Sequence, residues 1–144
     1  MTEDADAPWA VTLHGVVHAW MCDHYGHLNV RYYAHFFDDA SWVMWSVLGV
    51  PTSEFERLGV HTVVARTETD MLAELKVGTI VEVRSRVVRV GTKSVTYEQE
   101  LVSVDTRTVH ARQRAVEVFF DPASRASAPV PQSIRAVLPP NESE

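Results

Sequence analysis

The sequence predicts an α+β fold in which one curved antiparallel sheet wraps around one long helix. Two features carry that expectation. Residues 29–48 contain no Pro or Gly and repeat apolar side chains at three- and four-residue spacing, the period of a helix with one buried face. Beyond residue 60 the chain becomes a series of runs rich in Val, Thr and aromatics, with Gly78, Gly91 and Asp105 between the later ones. A helix that is apolar on one face needs one sheet to cover it.

Taken in order, residues 1–10 read as a disordered lead and residues 11–20 as a first strand, followed by the polar loop Cys22–His27. The helix then runs from Asn29, a competent N-cap, to Leu48, where Gly49 and Pro51 stop it. Its stripe is Tyr33, Phe36, Phe37, Ala40, Val43, Met44, Val47 and Leu48. Trp42 stands among charges on the other face, which suits packing under a loop or contact with a subunit or ligand. Strands are expected at 60–72, 79–90, 92–104 and 108–120. The domain therefore spans residues 11–121. The tail, 122–144, is rich in Pro, Ser and Ala, with room for a short helix over 132–138. Five strands and one helix leave a sheet edge uncovered, and pairing of identical chains into a dimer or tetramer is the usual remedy.

Composition narrows the function. The chain of 144 residues carries a net charge of -6, which argues against nucleic acid as a partner while leaving room for an anionic small ligand. No apolar run is long enough to span a membrane. A single cysteine, Cys22, and an acidic start unlike a secretory signal fit the cytoplasm.

The chemistry concentrates in Asp23-His24-Tyr25-Gly26-His27-Leu28-Asn29-Val30. A carboxylate here lies six residues before a helix start. The helix N-terminus offers free N–H groups and positive potential, which can hold a carbonyl oxygen and the oxyanion formed from it. A carboxylate across that carbonyl can attack it or activate water. Gly26 lets the backbone turn sharply and approach a ligand. The same residues also have plain structural readings: Asp23 as a turn residue, His27 as a hydrogen-bonded histidine, Asn29 as a cap.

The string Asp23-x-x-Gly26-His27-x-Asn29-x-x-x-Tyr33, with Phe37 and Ala40 after it, resembles the signature of the 4-hydroxybenzoyl-CoA thioesterase-like hotdog family, in its D-x-x-G-H-x-N branch. Residues 65–79 resemble that family's second strand and turn, and the likeness extends from about Val11 to Phe120. Departures are Val30 where Asn is common, Thr79 after Gly78, and Met71 where an aromatic is common. The resemblance implies an acyl-CoA thioesterase with sites between subunits and no organic or metal cofactor. It makes Asp23 the nucleophile or general base and the backbone N–H of Val30 or an immediate neighbour the carbonyl's donor, with His27 and Asn29 counted beside them at the catalytic site. Tyr33, Phe36, Phe37, Val63 and Met71 could equally line an acyl pocket or fill the core. Arg66, Arg86, Arg89, Lys93 and Arg112 are candidates for the CoA phosphates, Arg66 being preferred.

Rival readings stand beside this one. His14, His18, Cys22, His24 and His27 crowd one region, yet they fit no standard zinc spacing, and His14 and His18 would lie about 13 Å apart on a strand. A hydratase or dehydratase could use Asp23 with His27, but Asn29 follows the histidine where the hydratase pattern puts Asn before it. A non-catalytic acyl-CoA-binding protein is compatible with the fold.

Overall fold

A computed structural model describes residues 8–140. The expected disordered lead lies mostly outside these residues, as does the end of the tail. Of the lead's described residues, Ala10 already belongs to the first strand.

The elements in chain order are β1 (Ala10–Val16), α1 (Arg31–Val47), α2 (Thr52–Leu58), β2 (His61–Met71), β3 (Ile80–Val90), β4 (Ser94–Ser103), β5 (Val109–Asp121), β6 (Ala126–Ser127) and α3 (Gln132–Arg135). All strand pairings are antiparallel, and the main path runs β1-β3-β4-β5-β2, with β6 on β5. The sheet curls into a half-barrel, and α1 packs against β1, β3 and β4. β2 follows α1 in sequence but lies at the sheet edge farthest from β1.

Alternation along the strands sorts the two faces. On the face toward α1, Val81, Val83, Leu101 and Ala111 meet Tyr33, Phe36, Phe37 and Ala40. Gly15 permits close approach, because a Cβ there would lie 2.9 Å from Phe36 Cε1. On the outer face Arg84 and Arg112 flank Glu100, and Arg86 and Arg114 flank Glu98. Burial alone would raise the Glu100 carboxyl's pKa, but Arg84 and Arg112 outweigh that and hold it below the usual carboxylate range. Trp9 lies against the guanidinium groups of Arg84 and Arg86.

Several expectations change. Where one helix around the sheet was expected, plus a short one in the tail, the described residues hold three. α2 begins just after Pro51, which had been read only as a stop; Phe55 and Leu58 pack against the cluster that contains Trp45. The first strand ends at Val16, and Ala19–Met21 form a 3-10 turn instead. In α1 the buried stripe is rotated from the expected one. Val43 and Val47 are exposed, while Ser41 and Trp45 are buried.

Candidate functional site

The loop before α1 is a tight hairpin. Cys22 and Leu28 form a bridge, Asp23 N–H donates to His27 O at 2.9 Å, and Gly26 N–H donates to Asp23 O at 3.0 Å. Gly26 has φ +80°, a left-handed conformation that only glycine adopts at little cost. The Asp23 carboxylate is half-buried, and its Oδ1 accepts the N–H groups of Tyr25 (2.9 Å) and His27 (3.3 Å). Oδ2 takes no part in these turn bonds.

The loop is fastened on both sides. Asn29 N–H donates to Met21 O at 2.9 Å, Leu28 N–H to Leu75 O at 2.7 Å and Val77 N–H to Gly26 O at 3.1 Å. At the helix start the Asn29 Oδ1 accepts from Arg31 N–H at 3.2 Å, and Asn29 O accepts from Tyr32 N–H at 2.9 Å. Val30 is the helix N-cap residue and is itself helical, with φ -51° and ψ -33°. Its N–H meets no acceptor among the described residues. No acidic residue occupies the first turn of α1 to offset the helix dipole.

Asp23, His27, Val30 and Tyr33 line one open cleft of about 450 Å³. Its far wall is the segment from Met71 to Leu75, which leaves β2 and returns to the loop. Burial, and then the nearby Asp23 charge, raise the Tyr33 phenol above its usual pKa. His27 Nε2 lies 3.4 Å from Glu74 Oε2. The cleft therefore combines a carboxylate whose Oδ2 lies outside the turn bonds, an N–H at a helix N-terminus without an acceptor among the described residues, and a neutral phenol. That set can bind a polarised carbonyl and activate water beside it.

The remaining residues singled out from the sequence are placed differently. Asn29 sits at the helix start with its polar groups engaged locally. Gly26 makes the turn, with its N–H and C=O already bonded. Phe37 is 1% exposed, in the core, and borders a second groove beside α1 rather than the cleft. Phe36 is also core, whereas Met71 lies in the cleft wall. Arg66 and Val63 pair with Val116 and Val118, on the sheet face opposite Met71. Arg66 there meets Glu68 at 2.8 Å. Arg86 and Arg112 are bonded to Glu98 and Glu100. Cys22 Sγ lies 3.5 Å from His18 O. Among the described residues no group of three or more His, Cys, Asp or Glu is placed to hold a metal ion.

Sequence reasoning offered Met71 as a possible lining residue but gave no role to Glu74 or to the rest of the wall. Residues 65–79 were marked only as a strand and turn, because the wall becomes part of the cleft only through the long-range bonds of Leu75 and Val77 to the loop. It also missed the exposure of β2, in which only Thr62 and Thr69 are even partly buried. Among the described residues no helix is long and apolar enough to cross a membrane.

The model of the thioesterase-like superfamily matches residues 16–138. No curated protein matches the chain significantly. Among solved structures, a candidate thioesterase from Pseudomonas aeruginosa is 26% identical over 88% of this chain and 98% of its own, with a TM-score of 0.75. A 1,4-dihydroxy-2-naphthoyl-CoA thioesterase from Synechocystis is 14% identical over 91% of this chain and 96% of its own, with a TM-score of 0.78. A hypothetical protein from Staphylococcus aureus, solved in complex with CoA, is 18% identical over 94% of this chain and 90% of its own, with a TM-score of 0.80.

Proposed function

The chain belongs to the thioesterase-like superfamily, and on that premise we propose that it hydrolyses acyl-CoA thioesters with Asp23 as the reactive carboxylate. The observation that carries this reading is the shared cleft of Asp23 and the unpaired Val30 N–H at the start of α1. The thioester carbonyl accepts Val30 N–H, where the helix dipole favours the negative charge that develops on oxygen. Asp23 Oδ2 takes a proton from water as the water oxygen bonds to the carbonyl carbon. The tetrahedral intermediate then collapses, the C–S bond breaks, and the CoA thiolate leaves with the proton held on Asp23, which restores the carboxylate. Direct attack by Oδ2 gives the same products through a mixed anhydride that water then hydrolyses. His27, Asn29 and Gly26 shape the loop and helix start, and Tyr33 borders the reacting carbonyl. The loop string supports the D-x-x-G-H-x-N branch, and CoA bound to the Staphylococcus aureus neighbour supports a CoA thioester as substrate.

The same reading makes the working form a homo-oligomer of cytoplasmic chains. β2 lies at a sheet edge, is exposed along nearly its whole length, and leaves a groove of about 470 Å³ between itself and α1. A second copy pairing along β2 would cover both, together with Trp42, which is 61% exposed. Arg66, remote from the cleft of its own chain and exposed, then remains a candidate for a contact made across the assembly, whereas Phe37 is held in the core.

A thiol-release assay across aliphatic and aromatic acyl-CoAs tests the activity. Release from at least one of them is expected, and binding without release would favour a non-catalytic acyl-CoA-binding protein. Light scattering tests the assembly: a mass at the 16.2 kDa of one chain would overturn the shared arrangement.

A further inference from the structure

β2 is paired to β5 as far as Met71, which opposes Ala111. Beyond that point the cleft wall depends on one residue of β5. The β4–β5 register passes from Leu101↔Ala111 to Val102↔Val109, so His110 is an extra residue in the ladder, a bulge. Its backbone C=O accepts both Leu72 N–H (2.8 Å) and Ala73 N–H (3.2 Å). Its ring is 8% exposed and bonded at both nitrogens: Nδ1 lies 3.3 Å from Ala73 O, and Nε2 lies 2.7 Å from Ser103 Oγ. A carbonyl can only accept, so Nδ1 carries a proton, and in the neutral ring Nε2 accepts the Ser103 hydroxyl. The ring is thus locked in one tautomer and one orientation, clamped between β4 and the wall.

The wall transmits that clamp to the cleft. The residue after Ala73 is Glu74, whose carboxylate is 3.4 Å from His27 Nε2. Leu75 O then accepts Leu28 N–H at 2.7 Å, two residues before Val30. We propose that His110, backed by Ser103, is a positioning residue of the cleft. It sets the distance of the Leu72–Leu75 wall from the Asp23 loop and hence the placement of His27 and the Val30 N–H. The inference rests on the cleft being the thioesterase site. His110 itself touches none of the reacting groups.

The test is His110→Asn and Ser103→Ala, read by amide hydrogen exchange and by steady-state kinetics on the best acyl-CoA. If His110 only stabilises the fold, exchange rises alike everywhere. If it positions the wall, Leu28 exchange in His110→Asn rises roughly tenfold or more against Gly91 and Val130, whose N–H groups bond to Ser94 O and Thr92 O at the other end of the sheet. In the same variant kcat falls roughly tenfold to a hundredfold with little change in KM, the scale of a misplaced catalytic geometry. Ser103→Ala moves both readouts the same way by less. A folded His110→Asn with wild-type Leu28 exchange and kcat overturns the proposal, as does a uniform rise at all three amides. Should His110→Asn fail to fold, Ser103→Ala decides: a selective rise at Leu28 supports the clamp and no change refutes it. If the wild type releases thiol from no acyl-CoA, the functional reading fails, and the exchange pattern still judges the clamp.

Discussion

Asp23→Asn separates the charge of Asp23 from its structural work. The Oδ1 atom accepts N–H groups of Tyr25 and His27 at 2.9 and 3.3 Å. An asparagine carbonyl oxygen in the same place keeps both bonds and therefore the hairpin. What disappears is the negative charge and the basicity of Oδ2. Loss of a general base costs roughly a hundredfold or more in kcat, which at 1.36 kcal/mol per tenfold is about 2.7 kcal/mol of transition-state stabilisation. Stability should hardly move. Asp23→Ala, by contrast, also removes both turn bonds, at about 1 kcal/mol each, and should lower the denaturant midpoint as well as kcat. The assay is thiol release in steady state beside urea unfolding of both variants. A third readout is the Tyr33 phenol. Its pKa is raised first by burial and then by the Asp23 charge, so Asp23→Asn should move it down, as followed by ultraviolet titration. An Asn variant with near-normal turnover, folded as well as wild type, would refute the catalytic role.

Other outcomes follow from the same geometry. Val30→Pro deletes the free N–H at a backbone conformation that proline accepts. kcat should fall by roughly a hundredfold to a thousandfold, the scale for losing one oxyanion donor, and unchanged kcat in steady-state thiol release would move the carbonyl elsewhere. Burial, reinforced by the charge and hydrogen bond of Glu117, pushes the Tyr97 phenol well above its usual value of 10.0. The unfolded phenol ionises first as pH rises, so this stabilisation is complete below pH 10 and is lost above it. Tyr97→Phe should therefore flatten the alkaline limb of a stability-pH curve. For Glu100 the sign is opposite: its lowered pKa contributes stability above the usual carboxylate range that vanishes as pH falls through the folded value. Glu100→Gln should cost about 2 kcal/mol near neutrality and remove that acid-side step, read by urea unfolding from pH 7 down to 3.

Local signals carried well in this chain, and long-range ones did not. α1 was legible because its period is written within seventeen consecutive residues, and the Asp23 loop because every bond of its turn lies within residues 23–27. The exact buried face of α1 was not. Trp45 is buried through edge-to-face contacts with Phe55 and Phe119, residues supplied by α2 and β5, while Val43 and Val47 remain exposed.

By itself the sequence determined the helix, the run of antiparallel strands after residue 60, and a carboxylate loop leading into a helix start, because each depends on neighbours a few residues apart. Tertiary structure alone decided which strand ends at the edge, which side chains face the cleft, and what forms its wall. Those outcomes depend on register. The irregularity at Val64–Arg66 puts Val64 and Thr67 on one face although they are three residues apart, and the bulge at His110 aims an imidazole at a segment thirty-seven positions away. A one-residue change of pairing reverses a side chain's face. Nothing within a strand's own sequence states which residue of a distant strand it will oppose.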